Sequence, residues 1–94
     1  MKIYFIDGKK VDLDSSEWNM IYSDGRWKSR GVRLFWRKKD DSFIIEHWSA
    51  WQGEHNRADV IIRVEAIDYL VNEEHHPERV HDALEAIKAD VSVF

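Results

Sequence analysis

Apolar residues alternate with polar ones most clearly over residues 32 to 37 and 42 to 48, two runs rich in Val, Leu, Phe, Trp and Ile. The polar break at Lys39-Asp40 has the length of a tight turn, and the pattern predicts a β-hairpin. A two-residue loop there sets Lys38 opposite Asp41, Trp36 opposite Phe43, Leu34 opposite Ile45, Arg33 opposite Glu46 and Val32 opposite His47. Because side chains alternate across a strand, Val32, Leu34, Trp36, Phe43 and Ile45 share one face, the predicted core face. The opposite face then carries Arg33, Phe35, Arg37, Ile44, Glu46 and Trp48, and this mixture of rings and cations is expected to meet solvent.

The same logic places the other elements around this hairpin. Residues 2 to 6 and 9 to 13 flank Asp7-Gly8, a pair suited to the positive φ angles of a type I′ turn, so a short first hairpin is predicted with Tyr4, Ile6, Val11 and Leu13 on one face. Asp14 and Glu17 have capping-box spacing and could start one helical turn through Trp18; a strand from Trp18 to Tyr22 is the competing reading. Asp24-Gly25 is expected to return the chain into Arg26-Trp27-Lys28, with Tyr22 opposite Trp27. Gln52 to Asn56 is a polar turn. In the stretch that follows, Val60-Ile61-Ile62 suits a buried strand, whereas Val60, Val64, Ile67 and Val71 have helical spacing. A strand to about Arg63 and a short helix from Val64 to about Asn72 reconcile the two. The last helix opens at Pro77 and Glu78, and its stripe of Val80, Ala83, Leu84 and Ile87 should dock on the sheet. Val91 to Phe94 is expected to add an edge strand or cover the core.

Together these elements predict one α+β domain over residues 1–94: an antiparallel meander sheet of four to five strands, with one short and one longer C-terminal helix packed on one face. A chain of 94 residues can bury one modest core, and 44% apolar content with five tryptophans argues against disorder. With no cysteine, disulfides, thiolate nucleophiles and Cys-based zinc sites are excluded. The opening MKIYFIDGKK lacks the apolar run of a signal peptide and no stretch is long enough to cross a bilayer, so a cytoplasmic location is expected.

Charge is segregated along the chain. Residues 1–25 sum to −2, residues 26–39 hold seven basic groups and no acid, and residues 40–94 sum to −9. A positive stripe on an acidic body favours an anionic partner, or a complementary acidic surface on another copy. The blander reading is that the chain's own acidic helices neutralise the basic strand across the surface.

The run Trp48-Ser49-Ala50-Trp51-Gln52-Gly53-Glu54, the short strand after it and the helix carrying Glu65-Ala66 and Leu70 resemble a loose group of small uncharacterised proteins of bacteria and mobile elements. The resemblance covers roughly residues 27 to 85 and implies a strand at Ala58 to Arg63. It brings no activity, ligand or site residue, and the strongly basic strand before the motif departs from the group.

These residues bear on four chemistries. Arg26, Trp27, Lys28, Arg30, Arg33, Phe35, Arg37, Lys38 and Trp48 form a basic and aromatic surface of the kind that holds single-stranded nucleic acid, by tracking phosphates and stacking bases. The same residues suit a protein contact, since Trp and Arg dominate interface hot spots and Trp48, Trp51 and Phe35 crowd a small core. Glu78, His81 and Glu85 share a helix face that could hold a divalent metal, although the chain has no H-E-x-x-H and His75-His76 suit a loop and cap. Glu46-His47 and Glu54-His55 are adjacent pairs; in a strand such neighbours point to opposite faces and make no acid–base dyad. The sequence therefore favours a non-enzymatic binding or regulatory module without a cofactor. Its expected partner is a protein or a second copy, met through the aromatic and basic sheet face. Single-stranded nucleic acid or another polyanion is the first alternative and divalent-metal binding the second.

Overall fold

The computed structural model describes residues 3–25, 30–51, 55–73 and 76–88. Its elements are β1 (Ile3–Ile6), β2 (Lys9–Asp12), β3 (Asn19–Asp24), β4 (Arg30–Arg37), β5 (Ser42–Ser49), β6 (Arg57–Ile61), α1 (Arg63–Asn72) and α2 (Pro77–Ala86). β3, β4, β5 and β6 form a four-stranded antiparallel sheet in chain order, and β1 with β2 forms a separate two-stranded ribbon. The fold is α+β.

β4 and β5 pair in the register that the alternation predicts, with Trp36 opposite Phe43, Leu34 opposite Ile45 and Arg33 opposite Glu46. The ribbon turns at Asp7 and Gly8, with φ of 52° and 76°, the two positive angles of a type I′ turn. β3 departs from expectation. Tyr22 lies opposite Leu34 and Asp24 opposite Val32, with a bulge at Ile21. β3 thus pairs deep along β4, and the return at Asp24-Gly25 is wider than a two-residue turn; Trp27, the expected partner of Tyr22, lies outside the described residues. Between Asp12 and Trp18 the chain makes successive turns, in which Ser15 N–H donates to the Asp12 carbonyl at 3.2 Å and Trp18 N–H to the Ser15 carbonyl at 3.3 Å. The capping-box turn does not grow into a helix there. The ambiguous stretch resolves as strand to Ile61 and helix from Arg63. Glu65 accepts a hydrogen bond from Ile62 N–H at 3.1 Å, the carboxylate half of a capping box; isoleucine has no oxygen to supply the other half. Val91 to Phe94 lies outside the described residues.

The sheet is covered on both sides. Leu34, Phe43 and Ile45 meet Ala66 and Leu70 of α1 and Val80, Ala83 and Leu84 of α2, with Ile87 just beyond. On the other side Phe35 and Ile44 pack with Leu13 and Trp18, and Tyr4, Ile6 and Val11 close over them. The alternation sorted the residues to the right faces, but the second face does not meet solvent: Phe35 is 3% exposed and Ile44 fully buried. The physical reason is the inner stripe of the first ribbon, which needs an apolar surface to cover. α1 and α2 are ten residues each. No helix among the described residues is long and apolar enough to cross a membrane.

Candidate functional site

Covering the second face splits the predicted basic and aromatic surface into two ends. At the end formed by Arg30 and Ser49, Trp48 lies against the β4 backbone at Gly31, its rung partner. A Cβ on Gly31 would sit 2.6 Å from the indole and 2.2 Å from the Asp24 carbonyl oxygen, so only glycine leaves room for the ring. The Arg33 guanidinium carbon stands 5.0 Å from the centre of the same indole. Its Nη1 donates to Glu46 Oε1 at 2.8 Å, and the Tyr4 hydroxyl donates to Glu46 Oε2. Glu46 is 0% exposed, so both carboxylate oxygens need donors, and the strand and the ribbon each supply one. Burial first, and then the bond to Glu46, push the Tyr4 hydroxyl up to about 12, which keeps it a donor at neutral pH. Two residues past β5, Trp51 is 57% exposed, its N–H bonded to Ser49 Oγ at 3.1 Å.

At the hairpin tip the cations are met by the chain's own acids. Arg37 donates to both carboxylate oxygens of Asp40, at 3.0 and 2.8 Å, and its guanidinium stacks 4.7 Å from the centre of the Trp18 ring. The Arg37 hydrogen bonds hold the Asp40 carboxyl down at about 2. Lys39 reaches Glu17 at 3.2 Å. Of Arg33, Arg37, Lys38 and Lys39, only Lys38 has no carboxylate partner among the described residues.

Arg33 and Trp48 touch; Arg37 and Lys38 lie at the far end of the strand; Phe35 is in the core between them; Arg26, Trp27 and Lys28 lie outside the described residues. On α2, His81 Nε2 is 3.7 Å from Glu85, as the helical spacing predicts, but the third group near them is Asp82 and not Glu78. The two carboxylates approach different nitrogens of one exposed ring, His81 Nδ1 lying 3.9 Å from Asp82. Such an arrangement offers a passing cation little enclosure.

Sequence reasoning missed two features. Tyr4 as the second donor to Glu46 had no local signal, because 42 positions separate them. The other is a polar cluster under the helices: Asp24 is buried with His76 Nε2 3.4 Å away, and the hydroxyl of Tyr22, edge-on to Tyr69 at 6.0 Å, has no hydrogen-bond partner among the described residues. Burial raises the Tyr22 phenol above its usual range, which keeps it neutral. Comparison with protein-family models, curated proteins and solved structures found no match to this chain.

Proposed function

We propose that the chain is a non-enzymatic binding module that engages a protein partner, or a second copy of itself, at the end of the sheet formed by Trp48, Arg33 and Trp51. The observation that carries this reading is the Trp48–Arg33 pair, fixed by Gly31 and Glu46, with Trp51 exposed three residues further along the chain. A large ring left in water costs hydration free energy in the monomer. The Trp48 indole and the guanidinium stacked on it are already held in place and lose little further entropy on binding, which is the composition and the preorganisation of an interface hot spot. The contact zone is smaller than the face read from sequence, because Phe35 belongs to the core.

Polyanion binding is less well supported. Arg33 and Arg37 are each held by a carboxylate of the same chain, so a phosphate would have to displace an existing short ion pair.

A photo-crosslinking side chain at position 51, compared with one at exposed Phe5 on the outer face of the ribbon, tests the site in the native host. Position 51 is expected to yield one dominant adduct that Trp48→Ala abolishes and moderate salt leaves intact. Sedimentation of the purified chain distinguishes self-association from a foreign partner. Equal crosslinking at both positions, or salt-sensitive binding of a single-stranded oligonucleotide that depends on Lys38 and Arg37, would remove the proposal.

A further inference from the structure

A cavity of about 280 Å³ opens between the ribbon and the hairpin-tip end of the sheet, well away from Trp48. Half-buried Ile6 and Val11 offer it apolar surface over the buried side chains of Trp18 and Ile44, and the rest of the lining, Val60 apart, is polar. Val60 stands exposed at one side. The cations around it are Lys9, Lys10 and Arg37. Arg37 is anchored by Asp40 and stacked on Trp18, so it forms wall rather than a free donor. Lys9 and Lys10 are exposed and have no ion pair among the described residues, and Asp7 is the one acid in the lining.

Lys9 stands where a simple cover would carry an apolar residue. Along β2, positions 9, 11 and 13 share a face, and Val11 and Leu13 use it to close on the sheet. Lys9 is the inward-facing rung partner of Ile6, at the rim of the cavity. A pocket that is apolar on one side and has the unpaired Lys9 ammonium group at its mouth is complementary to a molecule with a greasy body and an anionic head. The volume falls just below the range of about 300–1,000 Å³ usual for ligand pockets, which restricts the body to one ring or a short acyl chain.

We propose that this cavity binds a small amphiphilic carboxylate, its apolar part against Ile6, Val11 and Val60 and its carboxylate at Lys9. Such an occupant bridges the ribbon and the sheet, so it stabilises the folded chain. The site is independent of the Trp48–Trp51 contact and stands or falls separately.

The test is a titration with benzoate and hexanoate, and with benzyl alcohol and hexanol as neutral counterparts, followed by methyl and indole NMR at low salt. The carboxylates are expected to shift the methyls of Ile6, Val11, Ile44 and Val60 and the indole of Trp18, saturably at millimolar concentration. They should bind about fivefold more tightly than the alcohols, the scale expected of exposed charge contacts. Lys9→Gln should erase that preference and Lys10→Gln, on the outer face, should keep it, both leaving the melting temperature of the unliganded protein unchanged. Val60→Trp, at an exposed position, should fill the mouth and abolish binding of all four compounds. Three results would overturn the proposal: no saturable shift, shifts confined to the lysines, or equal binding of acid and alcohol that the lysine changes leave untouched.

Discussion

Glu46 shows how unequal the two ends of one ion pair can be. Its carboxylate is fully buried whereas the Arg33 side chain is 24% exposed, so loss of the arginine strands a charge and loss of the acid does not. Removing one partner of a buried pair costs up to about 3–5 kcal/mol, and the partial exposure of Arg33 places its removal toward the lower figure. Arg33→Met is therefore expected to destabilise the chain by about 2–3 kcal/mol, and Glu46→Gln by less, when both are compared by urea unfolding. Equal losses would mean that water reaches Glu46. Tyr4→Phe removes one donor from the same carboxylate and should cost about 1–3 kcal/mol. Gly31 is a second single-residue constraint. Gly31→Ala sets a methyl group 2.2 Å from a backbone oxygen and 2.6 Å from the Trp48 ring. Backbone or indole must move, at about 1–3 kcal/mol or more, and the expected sign is a lower urea midpoint together with stronger quenching of Trp48 fluorescence by acrylamide.

Between elements, the decisive link is Asp41 in the hairpin turn with Arg63 at the start of α1. Arg63 Nε and Nη2 donate to the two Asp41 oxygens at 2.7 and 2.6 Å, Nη1 donates to the Ile87 carbonyl at 2.9 Å, and the guanidinium lies 5.6 Å from the centre of the Phe43 ring. One side chain ties the hairpin tip, the first helix and the end of the second. The Arg63 hydrogen bonds lower the Asp41 carboxyl, and those of Arg37 lower Asp40 to about 2. A carboxyl whose folded value lies below its unfolded value contributes its stability above the unfolded value and loses it as pH falls through the folded one. Stability should thus decline from about pH 4 toward pH 2, and Asp41→Asn should flatten part of that decline in thermal melts. A wild-type and a variant curve that run parallel would show that Asp41 takes no part. Most of the individual elements were legible in the sequence. Asp7-Gly8 fixed one turn, Pro77 and the Val80–Ile87 stripe fixed α2, and the β4–β5 register followed from alternation alone. The pairing of β3 was not: Tyr22 meets Leu34 because Asp24 already pairs with Val32, and the bulge at Ile21, which leaves no residue-type signature here, then shifts Met20 and Asn19 by one more position.

At the scale of the molecule, the chain is three layers, with ribbon, sheet and helices in that order. The sequence identified both faces of the sheet, yet it could not say that one of them has a lid, because an apolar stripe on β1 and β2 serves equally well in a meander and in a separate ribbon. The long-range bond from Tyr4 to Glu46 and the packing of Ile6 and Val11 on Ile44 distinguish the two. That placement has an energetic consequence. The helix layer contributes Ala66, Leu70, Val80, Ala83, Leu84 and Ile87 to its core, all buried, whereas β1 and β2 add no fully buried residue of their own; Tyr4, Ile6 and Val11 are half-buried. A two-stranded ribbon is marginal unless it is packed on something, and this one holds on through partial burial and a single buried polar anchor. Native-state hydrogen exchange should therefore find the β4–β5 amides opening only with global unfolding, and the β1–β2 amides opening earlier, with a smaller dependence on denaturant. Tyr4→Phe should widen that gap, lowering the opening free energy of the ribbon more than that of the β4–β5 rungs. If the ribbon and the central strands instead exchange with the same free energy and the same denaturant slope, the three layers unfold as one unit, and the anchor at Glu46 is strong enough to make the ribbon part of the core.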